Sequence, residues 1–192
     1  MSTRPKYVYQ FRVSLVGITP EIWRRIQVVN CTLDEFHEQI QLVMGWENCH
    51  LYVFEVGDER ICNPRHLEPM LDGEFEFTPS ITTKLSDVLP SRTTSLTFHY
   101  TYNIEDDWLH EIEFEGRMPF DEAGEYAKCL AGKRACPPED VAGFIEYERF
   151  AQAIFDPSHD DHDTYLDWVG KFDPEKFSVA AATKAMRKGF AS

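Results

Sequence analysis

From Tyr7 onward the chain alternates. Tyr7, Tyr9, Phe11, Val13 and Leu15 take every second position, with Gln10, Arg12 and Ser14 between them. A period of two places the two sets on opposite faces of a strand, so residues 7–16 are expected to form a half-buried strand. Gly17 to Glu21, including Pro20, breaks the pattern. Residues 22–29 restart it, with Ile22, Ile26 and Val28 on one face and Trp23, Arg25 and Gln27 on the other.

At Thr32 the period changes. Leu33, Phe36, Ile40, Val43 and Met44 recur at helical spacing. Thr32 and Glu35 have the spacing of a capping box, in which each side chain satisfies the other's free backbone N–H. Gly45 supplies the stop. Leu51 to Val56 then reads as a third strand. The opening order is strand, strand, helix, strand, in the manner of a β-grasp.

Residues 57–94 are less regular. Asn63-Pro64, Glu68-Pro69 and Asp72-Gly73 mark turns, Phe75 and Phe77 alternate in a short strand, and Thr83 to Leu89 suits a short helix. Two clear alternations follow. Leu96, Phe98, Tyr100 and Tyr102 share one face, as do Trp108, His110, Ile112 and Phe114, and residues 103–107 connect them as a hairpin loop. Cys129 to Cys136, with Gly132 inside it and Pro137-Pro138 after it, reads as a loop leading into a helical half.

Three helices are expected there. Residues 141–155 bring Phe144, Tyr147, Ala151, Ile154 and Phe155 to one side. Residues 161–169 bring His162, Tyr165, Leu166 and Val169 together. Residues 178–188 end at Gly189, with Lys184, Arg187 and Lys188 near the negative end of the helix dipole. The expectation is a single α+β domain over residues 1–192, with a mixed or antiparallel sheet and C-terminal helices. Its core spans about residues 7–177, and residues 178–192 form a C-terminal helix and tail.

Composition narrows the functional classes. The 192 residues carry 19 Lys+Arg against 33 Asp+Glu, a formal net charge of −14. Hydrophobic residues at 43% and aromatics at 14% exclude overall disorder. Acidity of this size opposes a nucleic-acid or anionic-membrane coat, and no apolar run reaches the ~18–20 residues of a membrane span. Met1 to Lys6 contains no apolar signal region. The five cysteines are odd in number and include no Cys-x-x-Cys pair, so reduced thiols in a cytoplasm are expected. Arg12, Arg24 and Arg25 form a small basic group, read as a solvated strand face that could alternatively meet an acidic partner.

Several residues could carry chemistry. His110, Cys129, Cys136, His159 and His162 are candidate ligands for zinc, the one cofactor the residue types suggest. The bland reading is that His110 is a hydrogen-bonded core histidine and the cysteines simply pack. Asp156 to Asp163 imitates part of a calcium loop but places Asp161 where that loop needs glycine. Glu105, Asp106 and Asp107 are the best carboxylate group for acid–base work. No Gly-x-Ser-x-Gly occurs, and Gly132-Lys133 lacks the earlier glycine of a phosphate-binding loop.

Blocks of residues along the chain resemble one family. They are Tyr9-Gln10-Phe11-Arg12-Val13, Pro20-Glu21-Ile22-Trp23-Arg24-Arg25-Ile26, Met44-Gly45-Trp46-Glu47, His50-Leu51, Asp107-Trp108-Leu109-His110-Glu111-Ile112, Cys129-Leu130-Ala131-Gly132, Ala135-Cys136-Pro137-Pro138-Glu139-Asp140, Asp156-Pro157, His159, Trp168 and Phe172-Asp173-Pro174-Glu175. Together they resemble the Ri-plasmid open-reading-frame-three-like family, also labelled insertion-element passenger TnpR proteins. Two departures stand out. The family's hairpin loop is of the type Tyr-Asp-Phe-Gly-Asp-Gly-Trp, whereas Tyr102 to Trp108 contains neither glycine, and Val141 replaces the usual Cys. The TnpR label suggests a resolvase, but the chain has no nucleophilic Ser among arginines and no basic helix-turn-helix. The resemblance implies a compact α+β domain and no catalytic residues. The leading expectation is a non-enzymatic interaction module, associated with mobile elements, that binds a protein partner. A metal-dependent enzyme using the Cys129, Cys136 and histidine region is one alternative, and a nucleic-acid accessory protein is another.

Overall fold

The structure, a computed structural model, describes residues 5–67, 77–91 and 95–190. Among them eight strands form one sheet: β1 (Tyr7–Leu15), β2 (Trp23–Val29), β3 (Tyr52–Val56), β4 (Glu59–Cys62), β5 (Thr78–Pro79), β6 (Leu96–Tyr102), β7 (Trp108–Pro119) and β8 (Lys128–Lys133). The helices are α1 (Leu33–Met44), α2 (Pro64–Leu67), α3 (Leu85–Val88), α4 (Gly143–Phe155), α5 (His162–Val169) and α6 (Val179–Lys188).

The strand order is β5-β4-β3-β6-β7-β1-β2-β8. All neighbours are antiparallel except β4 and β5, so the α+β sheet is mixed through one short pair. The strand–strand–helix–strand opening is present, and the β6–β7 hairpin stands between β1 and β3. That hairpin pairs in the expected register, Tyr102 opposite Trp108 and Leu96 opposite Phe114. The short strand expected around Phe75 lies outside the described residues.

Alternation along the strands builds two unlike faces. Phe11, Ile26, Phe54, Phe98, Ile112 and Phe114 face inward and are almost wholly buried. Helix α1 lies on them through Leu33, Phe36, Ile40 and Val43, with Phe36 at 4.7 Å from the Phe11 ring and 6.0 Å from Phe54. Each such side chain contributes about 1.5–3 kcal/mol by leaving water. The capping box is formed, Glu35 N–H donating to Thr32 Oγ1 and Thr32 N–H to Glu35, and Gly45 closes the helix in the left-handed region. The opposite face is polar. A bulge in β7 inserts Glu115 beside Gln10, where Arg25 grips it at 2.7–2.9 Å and Gln10 adds a bond at 2.7 Å.

Two expectations are corrected. Residues 128–133 form the edge strand β8, because Ile26 and Trp23 of β2 offer backbone partners to Cys129 and Lys133. Apolar alternation is missing there because the pair is bulged. The outward N–H and C=O of Cys129 meet Thr183 Oγ1 of α6 at 3.1 and 3.2 Å. Helix α4 is rotated from the expected face: it buries Gly143, Tyr147, Phe150 and Ala153. Phe150 packs on Tyr165 and Phe172, both at 5.2 Å. No helix among the described residues is long and apolar enough to cross a membrane.

Candidate functional site

Three segments meet at one end of the sheet: the loop after α1, the end of β6, and the segment joining β8 to α4. Glu139 is their junction. Its Oε1 accepts the Tyr102 hydroxyl at 2.6 Å and the Cys49 thiol at 3.3 Å, and its Oε2 accepts Glu47 N–H at 3.0 Å. Tyr102 Oη in turn accepts Cys49 N–H at 3.1 Å. His50 Nε2 lies 3.3 Å from Asp140 Oδ1 and 3.8 Å from Glu139 Oε1. Trp46 Nε1 donates to Pro137 C=O at 3.0 Å and fixes the height of the segment.

The backbone here is unusual. Asn48, Asn103, Asp107 and Asp140 all adopt left-handed conformations, with φ of 59°, 51°, 52° and 66°. Gly143 has φ 76°, and a Cβ on it would stand 2.6 Å from the Asp106 carbonyl oxygen. Such conformations persist only where the surroundings impose them, and they concentrate at functional sites.

An inner network holds the loop from below. Gln41 Nε2 donates to Tyr100 Oη at 2.9 Å, Tyr100 donates to His37 Nδ1 at 2.7 Å, and His37 Nε2 donates to Asn48 Oδ1 at 2.6 Å. The Asn48 acceptor places a His37 proton on Nε2. Its ring stacks on Tyr52 at 3.7 Å.

Two groups are held neutral by their surroundings. Partial burial and the hydrogen bond to Glu139 raise the Cys49 pKa, so the group is a thiol rather than the thiolate a nucleophile needs. Burial also pushes His110 down to about 4, which leaves it neutral.

The residues singled out from the sequence are dispersed. His110 is fully buried, with Nδ1 donating to Trp108 C=O at 2.8 Å, as the alternation of its strand implies. Cys129 is buried on β8, and burial raises the thiol of Cys136. His162 Nδ1 bonds the Ala153 carbonyl at 2.7 Å, and His159 Nδ1 accepts Asp161 N–H at 3.1 Å. Among the described residues no three of these five converge within ligand distance; Cys49, His50 and Glu139 do, within 4.8 Å of one another. Asp156 closes a local turn with Ser158 at 2.7 and 2.9 Å. Asp106 accepts Asn103 Nδ2 at 2.6 Å.

The basic strand face is also corrected. Arg24 is buried, bonding the carbonyls of Val43, Trp23 and Lys133 at 3.1, 2.9 and 2.8 Å. Arg12 pairs with Glu21, and Arg25 with Glu115. These side chains therefore do not form a free cationic surface.

A second surface lies on α4. Its outward face carries Phe144, Ile145 and Phe155, exposed by 45%, 65% and 63%, and neighbouring α5 exposes Trp168 by 49%.

The family profile of plasmid pRiA4b ORF-3-like proteins matches residues 7–181, which takes in every site residue above. The chain belongs to this pRiA4b ORF-3-like family. It is 33% identical over 183 residues to an uncharacterized protein of Sinorhizobium fredii, covering 94% of this chain and 89% of the relative. It is also similar to the crystal structure of a protein of unknown function from Methanosarcina mazei, with TM-score 0.78 and 35% identity over 91% of this chain and 97% of that one. Against the family's glycine-bearing hairpin loop, Asp107 occupies a glycine position and keeps a glycine-like φ of 52°.

The signal for the site is present in the sequence only as scattered blocks. His50-Leu51 and Glu139-Asp140 resemble the family, but Cys49 and Glu139 stand ninety positions apart and meet only through the sheet topology.

Proposed function

We propose that this pRiA4b ORF-3-like protein is a non-enzymatic interaction module that docks a partner protein on the outward face of α4. One observation carries the reading: α4 is apolar on two sides. Gly143, Tyr147, Phe150 and Ala153 face the protein, while Phe144, Ile145 and Phe155 face solvent. A helix apolar all round is ordinarily buried, and large exposed apolar groups on one element mark contact surfaces. Exposed Glu148, Asp160, Asp163 and Asp167 lie on the same two helices and their connection. Charge complementarity therefore favours a partner segment with apolar residues flanked by Lys or Arg. An association with mobile elements is part of the same proposal, suggested by the family's name alone.

The test compares wild type with an Ile145→Glu/Phe155→Glu variant in cross-linked native extracts. Loss of a specific partner, with melting temperature unchanged, supports the reading. Equal recovery by both proteins overturns it.

A further inference from the structure

We propose that Cys49, His50 and Glu139 form a binding site for a borderline divalent cation of the zinc class. Sulfur, imidazole nitrogen and carboxylate oxygen are the donor set such an ion takes. The spacing agrees as well. Ligand atoms around a tetrahedral zinc stand about 3.3–3.8 Å apart, given metal–ligand lengths of about 2.0–2.3 Å. Here Cys49 Sγ and His50 Nε2 stand 3.3 and 3.8 Å from Glu139 Oε1.

The outer partners are in place. Tyr102 O–H and Glu47 N–H hold one oxygen each of the Glu139 carboxylate, and Tyr102 Oη accepts the Cys49 backbone N–H. Outer groups of this kind orient ligands and tune affinity. The loop geometry is imposed rather than relaxed, since Asn48 and Asp140, which flank the ligands, are both left-handed. Charge adds a third argument. Glu139 and Asp140 have no Lys or Arg ion-pair partner among the described residues, only His50.

Binding replaces the Cys49 S–H···Oε1 and His50 Nε2···Asp140 contacts with metal–ligand bonds; the thiol proton goes to solvent, and the His50 ring carries its proton on Nδ1. Three protein ligands leave the fourth position to water, which Asp140 can engage. The site would clasp the loop after α1 to the segment that leads into α4.

The experiment titrates chelator-treated, reduced full-length protein with Co(II) as the optical probe and with Zn(II) by calorimetry. One equivalent should bind, with a thiolate-to-cobalt charge-transfer band in the near ultraviolet. Cys49→Ser should abolish that band, and His50→Gln should weaken Zn(II) binding at least about tenfold. Tyr102→Phe, which keeps every ligand, should weaken it by a similar factor. Cys31→Ser should leave both signals unchanged. Absence of the band in folded wild type, or a band and affinity that survive both Cys49→Ser and His50→Gln, overturns the assignment.

Discussion

The guanidinium of Arg24 in β2 donates through Nε to the carbonyl of Val43 at 3.1 Å, so a strand side chain closes the last turn of α1. That helix has no basic residue in its own last turn. A cation at a helix C-terminus offsets the dipole and satisfies a free carbonyl. Stacked at 3.9 Å on Phe177, the same group ties α1, β2, β8 and the segment before α6. Arg24→Ala should therefore lower stability by about 3 kcal/mol, combining lost packing with unsatisfied carbonyls. Arg24→Lys should fall between the two in urea denaturation. A loss under about 1 kcal/mol for the alanine variant would contradict this role.

His110 makes stability depend on pH. Its folded pKa is about 4, against the ordinary 6.5, because burial opposes the charged form. Above about pH 6.5 neither state is protonated and the full stability is present. Between 6.5 and 4 the unfolded chain takes up a proton that the folded chain refuses, so stability falls as pH falls. The contribution amounts to about 3 kcal/mol. Measured from pH 7.5 to 4.5, the urea midpoint of wild type should fall relative to that of His110→Phe, and parallel profiles would contradict this account.

Gly143 and Gly57 separate two effects of glycine. Both have positive φ, at 76° and 60°, but only Gly143 is crowded: a methyl group added there would meet the Asp106 carbonyl oxygen at 2.6 Å, and one added at Gly57 would meet nothing. Gly57→Ala should cost about 1 kcal/mol from conformation alone. Gly143→Ala should cost about 2–4 kcal/mol, because a carbonyl must also move. Equal shifts in thermal melting would show that the Gly143 contact yields without penalty.

Asp107 offers a gain. It holds φ 52° in the β6–β7 turn, a region that L-residues other than Asn and Asp rarely enter. Asp107→Gly should raise stability by about 0.5–1 kcal/mol, since relief of strain exceeds the added freedom of the unfolded chain. The measurement is a urea midpoint at constant slope, and a fall in midpoint would refute the expectation.

How much is readable from the residues differs from element to element. The period of two and the period near 3.6 specify β1, β2, α1, β6 and β7, and the Thr32–Glu35 spacing marks the start of α1. Arg24 shows a period outranking a charge. It shares parity with Ile22, Ile26 and Val28, and it is buried with them because the end of α1 supplies carbonyls that no local pattern reveals. In α4, apolar residues on both sides leave periodicity without a way to choose the inner face. The Cys49, His50 and Glu139 group is hidden for another reason. Its members come from distant segments, and residue type without that topology points to a different set of zinc candidates.

The bonds from Thr183 to Cys129 have a consequence for assembly. An edge strand normally offers a row of free N–H and C=O groups onto which another strand can add. Here α6 takes both groups of Cys129, and Arg187 takes the Ala127 carbonyl at 3.3 Å. Among the described residues these groups of Cys129 and Ala127 are therefore closed to an added strand, and at the other end of the sheet β5 offers only a two-residue edge that ends in Pro79.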